Sequence, residues 1–153
     1  MAQGAYDDAM REALQEAALA IADGDVPVGA VVLDPTGAIV GRGHNRREAA
    51  HDPTAHAEIV AMRDAAARRG TWRLDGHTLV VTLEPCAMCA GAVLQARIPR
   101  IVFGAWDEKA GAVGSRWDLV RDARAGASVE VIAGVLEAEC AAPLTAFFKQ
   151  RRD

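Results

Sequence analysis

Apolar residues recur along the chain with two different spacings, and these spacings predict helices and strands. Within residues 6–22 the apolar positions follow helical spacing, at Met10, Leu14, Ala17, Ala18 and Ile21. The stretch TLVVTL at 78–83 is apolar without alternation, which is typical of a strand covered on both faces. The pattern therefore predicts a helix near the start of the chain and a buried strand near its middle.

A β-hairpin is predicted between these two elements. The stretches VPVGAVVLD (26–34) and AIVGRG (38–43) are rich in β-branched residues, which favour strands. Pro35 followed by Gly37 in the short connection indicates a tight turn. We therefore expect the two stretches to pair with each other.

A second helix is predicted over 53–70, in the stretch PTAHAEIVAMRDAAARRG. Asp52 suits the N-cap position and Pro53 suits the first position of the helix. Gly70 is a stop signal, because glycine favours the left-handed backbone that ends many helices. We therefore expect the helix to begin at Pro53.

Strands and helices alternate in the second half of the chain. Pro85 is expected to open a helix over about 86–96, and a last helix is expected over roughly 135–151. RIVFGA (100–105) and SVEVIAG (128–134) are expected to be strands. Pro143 cannot donate a backbone hydrogen bond to Glu139, so we expect it to kink the last helix or split it in two.

The order of these elements predicts an α/β fold. A hairpin, a helix, a strand, a helix, two strands and a helix indicate a central mixed five-stranded sheet with helices on both faces, in three α/β/α layers. The alternation around 78–104 favours parallel pairing in that part of the sheet. No repeat or linker interrupts the sequence, so a single domain over 1–153 is expected.

Composition places the chain among soluble globular proteins. Of its 153 residues, 51% are apolar and 25% are charged, and no apolar run approaches the roughly 20 residues of a membrane helix. The opening MAQGAYDDAM lacks the features of a signal peptide, so we expect a cytoplasmic protein without disulfides or membrane contact. The net charge of −4 argues against a general nucleic-acid binder but leaves room for a basic patch such as FFKQRRD.

Two cysteines stand three positions apart after a proline, in TLEPCAMCAG (82–91). Cys86 and Cys89 could be a redox pair, buried apolar residues or metal ligands. At the start of a helix both sulfurs feel the helix dipole, which favours thiolates, and zinc suits two thiolates and an imidazole. His56, near the start of another helix, is the candidate third ligand. Cys140 is expected to be core filler in the last helix.

Glu58 is a better candidate for a proton carrier than for a fourth ligand. It lies two residues after His56, about 200° round an ideal helix, so the two side chains do not share a face. Three protein ligands leave a position for water, as in catalytic zinc sites. H-x-E followed by P-C-x-x-C is moreover the signature of zinc nucleobase deaminases.

The chain resembles the bacterial tRNA-specific adenosine deaminases of the cytidine deaminase superfamily. VPVGAVV, GHNRR, HDPTAHAEI, VTLEPCAMCAGA, RIVFGA and ECAAPLTAFFKQRR carry the resemblance along nearly the whole length. It implies a cytidine deaminase-like fold, one Zn²⁺ per subunit and a homodimer. It also implies a hydrolase that converts the wobble adenosine of an arginine tRNA to inosine. His56, Cys86 and Cys89 would bind the zinc, and Glu58 would shuttle protons from the attacking water.

The same resemblance implies a set of residues that contact the substrate. Asn45 would hydrogen-bond the flipped base, and Val28 and Leu83 would line the base pocket. Asp107 and Lys109 would belong to the loop that holds the anticodon backbone, and the last helix would contact the RNA through Phe148, Arg151 and Arg152. Two alternatives stay open at this point. A free-base or nucleoside deaminase for guanine, cytosine or cytidine would share the zinc motif. A zinc-stabilised binding domain without catalysis would need a fourth protein ligand and no proton carrier.

Overall fold

A five-stranded sheet with helices on both faces forms the core of the protein. The computed structural model describes residues 4–126 and 128–152. The strands are β1 (Gly29–Leu33), β2 (Ile39–His44), β3 (Thr78–Leu83), β4 (Arg100–Ala105) and β5 (Glu130–Ile132). The helices are α1 (Asp7–Ala22), α2 (Arg47–Ala50), α3 (Ala57–Arg69), α4 (Ala87–Ala96) and α5 (Glu137–Arg152), with a short 3-10 helix at Ala123–Ala125.

The sheet is mixed, as the order of elements predicts. Its strand order is β2-β1-β3-β4-β5, with β1 antiparallel to both β2 and β3. β3, β4 and β5 run parallel to one another. The parallel pair β3–β4 needs a crossover, and α4 supplies it.

The helices pack in two layers, one on each face of the sheet. Alternate residues of a strand point to opposite faces, so Leu79 and Val81 of β3 join the layer of α3 and α4. Val80, between them, packs with residues of α1 and α5. β3 is therefore covered on both sides, which explains its unbroken apolar run. The predicted three-layer α/β/α fold is confirmed.

The helix predicted over 53–70 starts later than expected. It begins at Ala57, and His56 is its N-cap residue. Asp52 instead accepts hydrogen bonds at Oδ1 from the backbone N–H (2.9 Å) and the hydroxyl (2.7 Å) of Thr54. Asp and Pro favour such turns as strongly as helix starts, and here the turn forms. The predicted N-cap at Asp52 is therefore wrong, while the stop at Gly70 is confirmed by its left-handed backbone.

The last helix runs through its proline as one element. α5 contains Pro143 in its first half and continues through it, so of the two expected outcomes, a kink or a split, the split is wrong. Cys140 and Leu144, on either side of the proline, are buried against the core, and this packing holds the helix where one hydrogen bond is missing. None of the helices within 4–126 and 128–152 has both the length and the apolar surface to cross a bilayer.

Two glycines let β2 lie directly against α3, the helix that carries His56 and Glu58. A Cβ atom on Gly41 would lie 2.5 Å from the carbonyl oxygen of Ala61, and one on Gly43 would lie 2.6 Å from that of Ala57. Both distances are shorter than van der Waals contact, so any side chain would push α3 away from the sheet. The start of α3 is therefore positioned by the absence of side chains on β2.

We predict that Gly43→Ala lowers the free energy of unfolding by about 1–3 kcal/mol, as overpacking of a core typically does. Urea denaturation of the purified protein measures the change. The matched control is Gly91→Ala in α4, where a Cβ would meet no atom within 4 Å. That substitution is expected to stabilise by roughly 0.5–1 kcal/mol, since alanine favours helix over glycine. Equal effects of the two substitutions would contradict the packing account.

Candidate metal centre and active site

The starts of α3 and α4 bring three possible metal ligands together. His56 is the N-cap residue of α3 and Cys86 is the N-cap residue of α4, both with extended backbone. Neither side chain caps its own helix. Cys89 follows in the first turn of α4 and is fully buried. The three side chains therefore point at one another rather than at the backbone of their helices.

Asn45 replaces His56 as the cap of α3. Its side-chain Oδ1 accepts a hydrogen bond of 2.8 Å from the backbone N–H of Ala57. The backbone N–H of Asn45 donates in turn to the carbonyl of Val28 at 3.2 Å, which fixes the residue at the end of β2. Asn45 thus satisfies one backbone N–H in the first turn of α3 that has no partner within the helix, so the imidazole of His56 does not have to cap the helix.

The spacing of the three ligand atoms fits a tetrahedral zinc ion. His56 Nδ1 lies 3.6 Å from Cys86 Sγ and 3.5 Å from Cys89 Sγ. Ideal zinc–nitrogen and zinc–sulfur bonds at tetrahedral angles place nitrogen and sulfur about 3.6 Å apart. All three ligand atoms lie within 4.8 Å of one another, and no fourth residue joins the group within the described ranges. The donor set and its geometry therefore fit zinc with one position left open.

The protonation of these side chains also suits a cation. Hydrogen bonding with Cys89, and then with His56, lowers the pKa of the Cys86 thiol to about 3. The hydrogen bond with Cys86 raises the pKa of His56, and bonding to Cys86 together with burial raises the pKa of Cys89. These pKa shifts favour a thiolate at Cys86 and bound protons at His56 and Cys89. Zinc binds two thiolates and a neutral imidazole, so it competes with protons for the same atoms.

Glu58 lies in the first turn of α3, next to this group. The side chain is 4% exposed, and burial raises the pKa of its carboxyl to about 7. His56 and Cys89 act against this shift, but burial outweighs them. A carboxyl that gains and loses a proton near neutral pH is suited to carry protons in a reaction. Glu58 is not a member of the ligand group, so it lies beside the candidate ligands and not among them.

Cys140, the third cysteine, is a core residue. It is fully buried on the opposite face of the sheet, among residues of α1 and the strands. Burial raises the pKa of its thiol to about 12, so it stays protonated at neutral pH. The expectation that it is core filler is confirmed.

A depression beside Asn45 gathers several of the predicted substrate residues. Asn45, Phe148 and Arg151 line it, together with Arg47. Arg151 lies over the ring of Phe147, 4.3 Å from its centroid, and donates to the carbonyl of Gly24 at 2.8 Å. These contacts hold the guanidinium in one place at the edge of the depression.

A second depression brings together predicted substrate residues from three elements. Leu83 at the end of β3, Asp107 and Lys109 after β4, and Phe148 of α5 line it. Phe148 thus belongs to both depressions and is 48% exposed. Val28 lies in neither set of lining residues and is buried at the start of the hairpin. The side chain of Arg152 lies outside the described part of the structure.

The sequence patterns gave no role to Glu84, which the structure places beside the site. It is 1% exposed, two residues before Cys86, and accepts hydrogen bonds from the backbone N–H groups of Asp107, Val113 and Ser115. The one available signal was an acidic residue directly after a buried apolar strand, where charge is costly unless it has partners.

Comparison with known proteins identifies the family. The tRNA-specific adenosine deaminase of Bacillus subtilis (strain 168) is 48% identical over 143 residues, covering 94% of this chain and 88% of that protein. A structure from a study of A-to-I editing by tRNA:A34 deaminases at the wobble position of transfer RNA is 42% identical with a TM-score of 0.86. It matches over 90% of this chain and 99% of its own.

A more distant relative shares the fold. The guanine deaminase of Nitrosomonas europaea is 28% identical with a TM-score of 0.80, covering 94% of this chain and 84% of that one. The model of the cytidine and deoxycytidylate deaminase zinc-binding region matches residues 4–105, which include the ligand group and Glu58. Zinc is therefore the expected metal of the site. The chain belongs to the cytidine and deoxycytidylate deaminase family.

Proposed function

We propose that the chain is a zinc-dependent hydrolytic deaminase that converts the wobble adenosine of a tRNA anticodon, in an arginine tRNA, to inosine. The observation that carries the deaminase chemistry is the convergence of three ligand atoms within 4.8 Å beside a buried carboxylate. The RNA substrate rests on the near full-length similarity to tRNA-specific adenosine deaminases. The whole of 1–153 would act as one deaminase domain.

His56, Cys86 and Cys89 would hold the metal. When bound, zinc lowers the pKa of a water molecule in the open fourth position to about 7. Glu58 would take one proton from the attacking water as the water oxygen bonds to the ring carbon that bears the amine, and a second proton from the same oxygen once it is bonded to that carbon. It would then deliver protons to the ring nitrogen and to the departing ammonia, so that adenosine and water become inosine and ammonia. A carboxyl with a pKa of about 7 can perform both transfers.

Asn45 would hold the base in position above these groups. Its Oδ1 is engaged with Ala57, so the amide nitrogen is the group that remains to donate to an acceptor on the purine. Within the described ranges this nitrogen has no hydrogen-bonding partner in the protein. Val28, whose carbonyl accepts from the backbone N–H of Asn45, would line the base pocket beside it. Leu83 would give the pocket an apolar wall.

The RNA would lie across the two depressions that share Phe148. Trp106 and Phe148 are 45% and 48% exposed there, and aromatic rings exposed beside cations are suited to stack nucleobases. Lys109, Arg151 and Arg152 would contact the backbone of the anticodon stem-loop. The carboxylate of Asp107 accepts from the backbone N–H groups of Lys109 and Ala110, so its role would be to shape the loop that meets the RNA.

We also infer that the protein works in the cytoplasm as a homodimer. An apolar surface between α3 and α4 supports the homodimer. Trp72 is 57% exposed there and lies beside Ile59 and Met62. Exposed apolar patches of this kind commonly mark interfaces. The sedimentation coefficient of the purified protein measures the oligomeric state, and a monomer at micromolar concentration would contradict this inference.

The first test is the substrate. We expect inosine at the wobble position of an arginine tRNA anticodon stem-loop, and little turnover of free guanine, cytosine or cytidine. Ammonia release and sequencing of the product RNA measure the two reactions. Stem-loop binding should weaken steeply with salt, because cations on the protein displace counterions from phosphates. Turnover of a free base without inosine in the RNA would favour the free-base deaminase, whose fold this chain also shares.

The second test concerns Glu58. Glu58→Gln keeps the shape of the side chain but cannot accept a proton, so we expect the turnover rate to fall by about 10²- to 10⁴-fold. Zinc content and thermal midpoint should stay close to those of the unsubstituted protein. Glu137→Gln, at an exposed position on α5, is the control and should keep full activity. An active Glu58→Gln protein would refute the proton-carrier role.

The third test concerns the ligands and uses the two classes of cysteine in the chain. Cys86→Ser should weaken zinc binding by more than the roughly 10- to 100-fold that loss of an outer-shell partner causes. The thermal midpoint should fall as well, because metal binding contributes to folding. Cys140→Ser alters a cysteine outside the ligand group, so its zinc stoichiometry should be unchanged. Metal analysis that finds the same zinc content in both variants would refute the ligand assignment.

A further inference from the structure

Glu84 connects the strand that leads to the metal ligands with the loop that follows β4. This segment, which comprises residues 106–118, is the 106–118 loop. Oε1 of Glu84 accepts from the backbone N–H of Asp107 at 3.0 Å and from the hydroxyl of Ser115. Oε2 accepts from the backbone N–H groups of Val113 and Ser115, both at 3.0 Å. The carboxylate therefore holds both ends of the loop through four donors.

The carboxylate and the loop depend on each other energetically. Glu84 is 1% exposed, and none of the ion pairs among the described residues involves it. A buried carboxylate is costly unless hydrogen bonds replace its hydration, and buried N–H groups without an acceptor are costly too. The Glu84 carboxylate and the loop N–H groups therefore satisfy each other, and both desolvation penalties are reduced. Hydrogen bonds to a charged acceptor are stronger than those between neutral groups.

The same loop is bonded to the first metal-ligand position of α4. Gly111 forms an antiparallel bridge with Cys86, and the backbone N–H of Ala112 donates to the carbonyl of Pro85 at 2.9 Å. Gly111 has no room for a side chain, because a Cβ there would lie 2.5 Å from the carbonyl oxygen of Asp107 and would overlap the carboxyl group of Glu84. The backbone at Cys86 therefore packs against a loop whose shape Glu84 sets.

We propose that Glu84 is a positioning residue that fixes Cys86 and the 106–118 loop in one geometry. Through this loop it would align the metal site with Asp107 and Lys109, the residues assigned to the RNA. The RNA half of this inference rests on the proposed function, whereas the metal half does not. Glu84 itself is neither a member of the ligand group nor a lining residue of the second depression.

Glu84→Gln tests this role with almost no change in volume. A glutamine has one acceptor oxygen and one amide nitrogen that donates. With the amide nitrogen in the place of Oε1, the hydroxyl of Ser115 can rotate and accept, but the N–H of Asp107 loses its acceptor. With the nitrogen in the place of Oε2, two backbone N–H groups lose theirs, so the first arrangement costs less. The substitution should therefore release the Asp107 end of the loop.

We expect two measured changes in Glu84→Gln. Competition with a chromogenic chelator should show a zinc dissociation constant roughly 10-fold higher, as for loss of an outer-shell partner. For the zinc-saturated enzyme, KM for the anticodon stem-loop should rise roughly 10-fold, the effect of losing one hydrogen bond to a charged group, with a smaller change in kcat. Ser115→Ala removes only one donor and keeps the three N–H bonds, so its effects should be smaller in both assays.

The control separates positioning from general loss of stability. Val80→Ala creates a cavity in the opposite layer, away from α4 and the loop, and should lower the thermal midpoint without changing zinc affinity or KM. Zinc affinity and KM in Glu84→Gln that match those of Val80→Ala would overturn the proposal. If Glu84→Gln fails to fold, Gly111→Ala displaces the loop while keeping the carboxylate and should give the same two changes; unchanged values there would equally overturn it.

The two halves of the inference can fail separately. If the unsubstituted protein forms no inosine in any stem-loop, the proposed function and the RNA half fail together. The chelator competition still decides the metal half in that case, because it requires no substrate. If inosine forms normally and Glu84→Gln shifts neither measurement, the proposed function stands and the positioning role is refuted.

Discussion

The arrangement on which the rest of the site depends is the meeting of two helix N-termini at one point. α3 and α4 both begin beside the ligand group, with His56 and Cys86 as their N-cap residues. Each helix end carries a partial positive charge, which favours the thiolate forms of the cysteines. Two thiolates then balance the charge of a zinc ion, so a divalent cation can bind where two positive dipole ends converge. Glu58 is buried beside the ligand group, and this burial raises the pKa of its carboxyl to about 7.

Because of this arrangement, residues outside α3 have to cap the helix and position its start. A helix cap normally uses its own side chain to satisfy the first N–H groups, yet the imidazole of His56 faces Cys86 and Cys89 instead. Asn45 supplies the missing bond to Ala57 from the end of β2. That bond is possible because Gly41 and Gly43 allow β2 to lie against α3 without side chains between them. Ligand, cap and close packing thus form one structural unit.

The sequence predicted the architecture well because apolar periodicity is strong in this chain. The buried strand at 78–83 follows from its unbroken apolar run, and the mixed sheet follows from the order of the predicted elements. The start of α3 was mispredicted because Asp52 and Pro53 suit both a turn and a helix start, and no local signal marks His56 as the true boundary. Glu84 was missed for a related reason. Its partners are backbone N–H groups about 20 to 30 positions away, and backbone donors leave no residue pattern to detect.

The net charge of −4 does not by itself exclude the proposed RNA substrate, because exposed charges act over short distances. Most arginines far from the site are neutralised by neighbouring acids, as in the pairs Arg73–Asp75 and Arg124–Asp122. Within the described ranges no ion pair involves Lys109 or Arg151, which line the two depressions. At physiological salt, screening by ions weakens the interaction between exposed charges that are more than about 8 Å apart. Carboxylates line the depressions as well: Asp23, Asp25 and Glu48 the first, Asp107 and Glu108 the second. The charge that a phosphate meets there is therefore set by which of these side chains lie within that distance, and not by the sum of −4 over the whole chain.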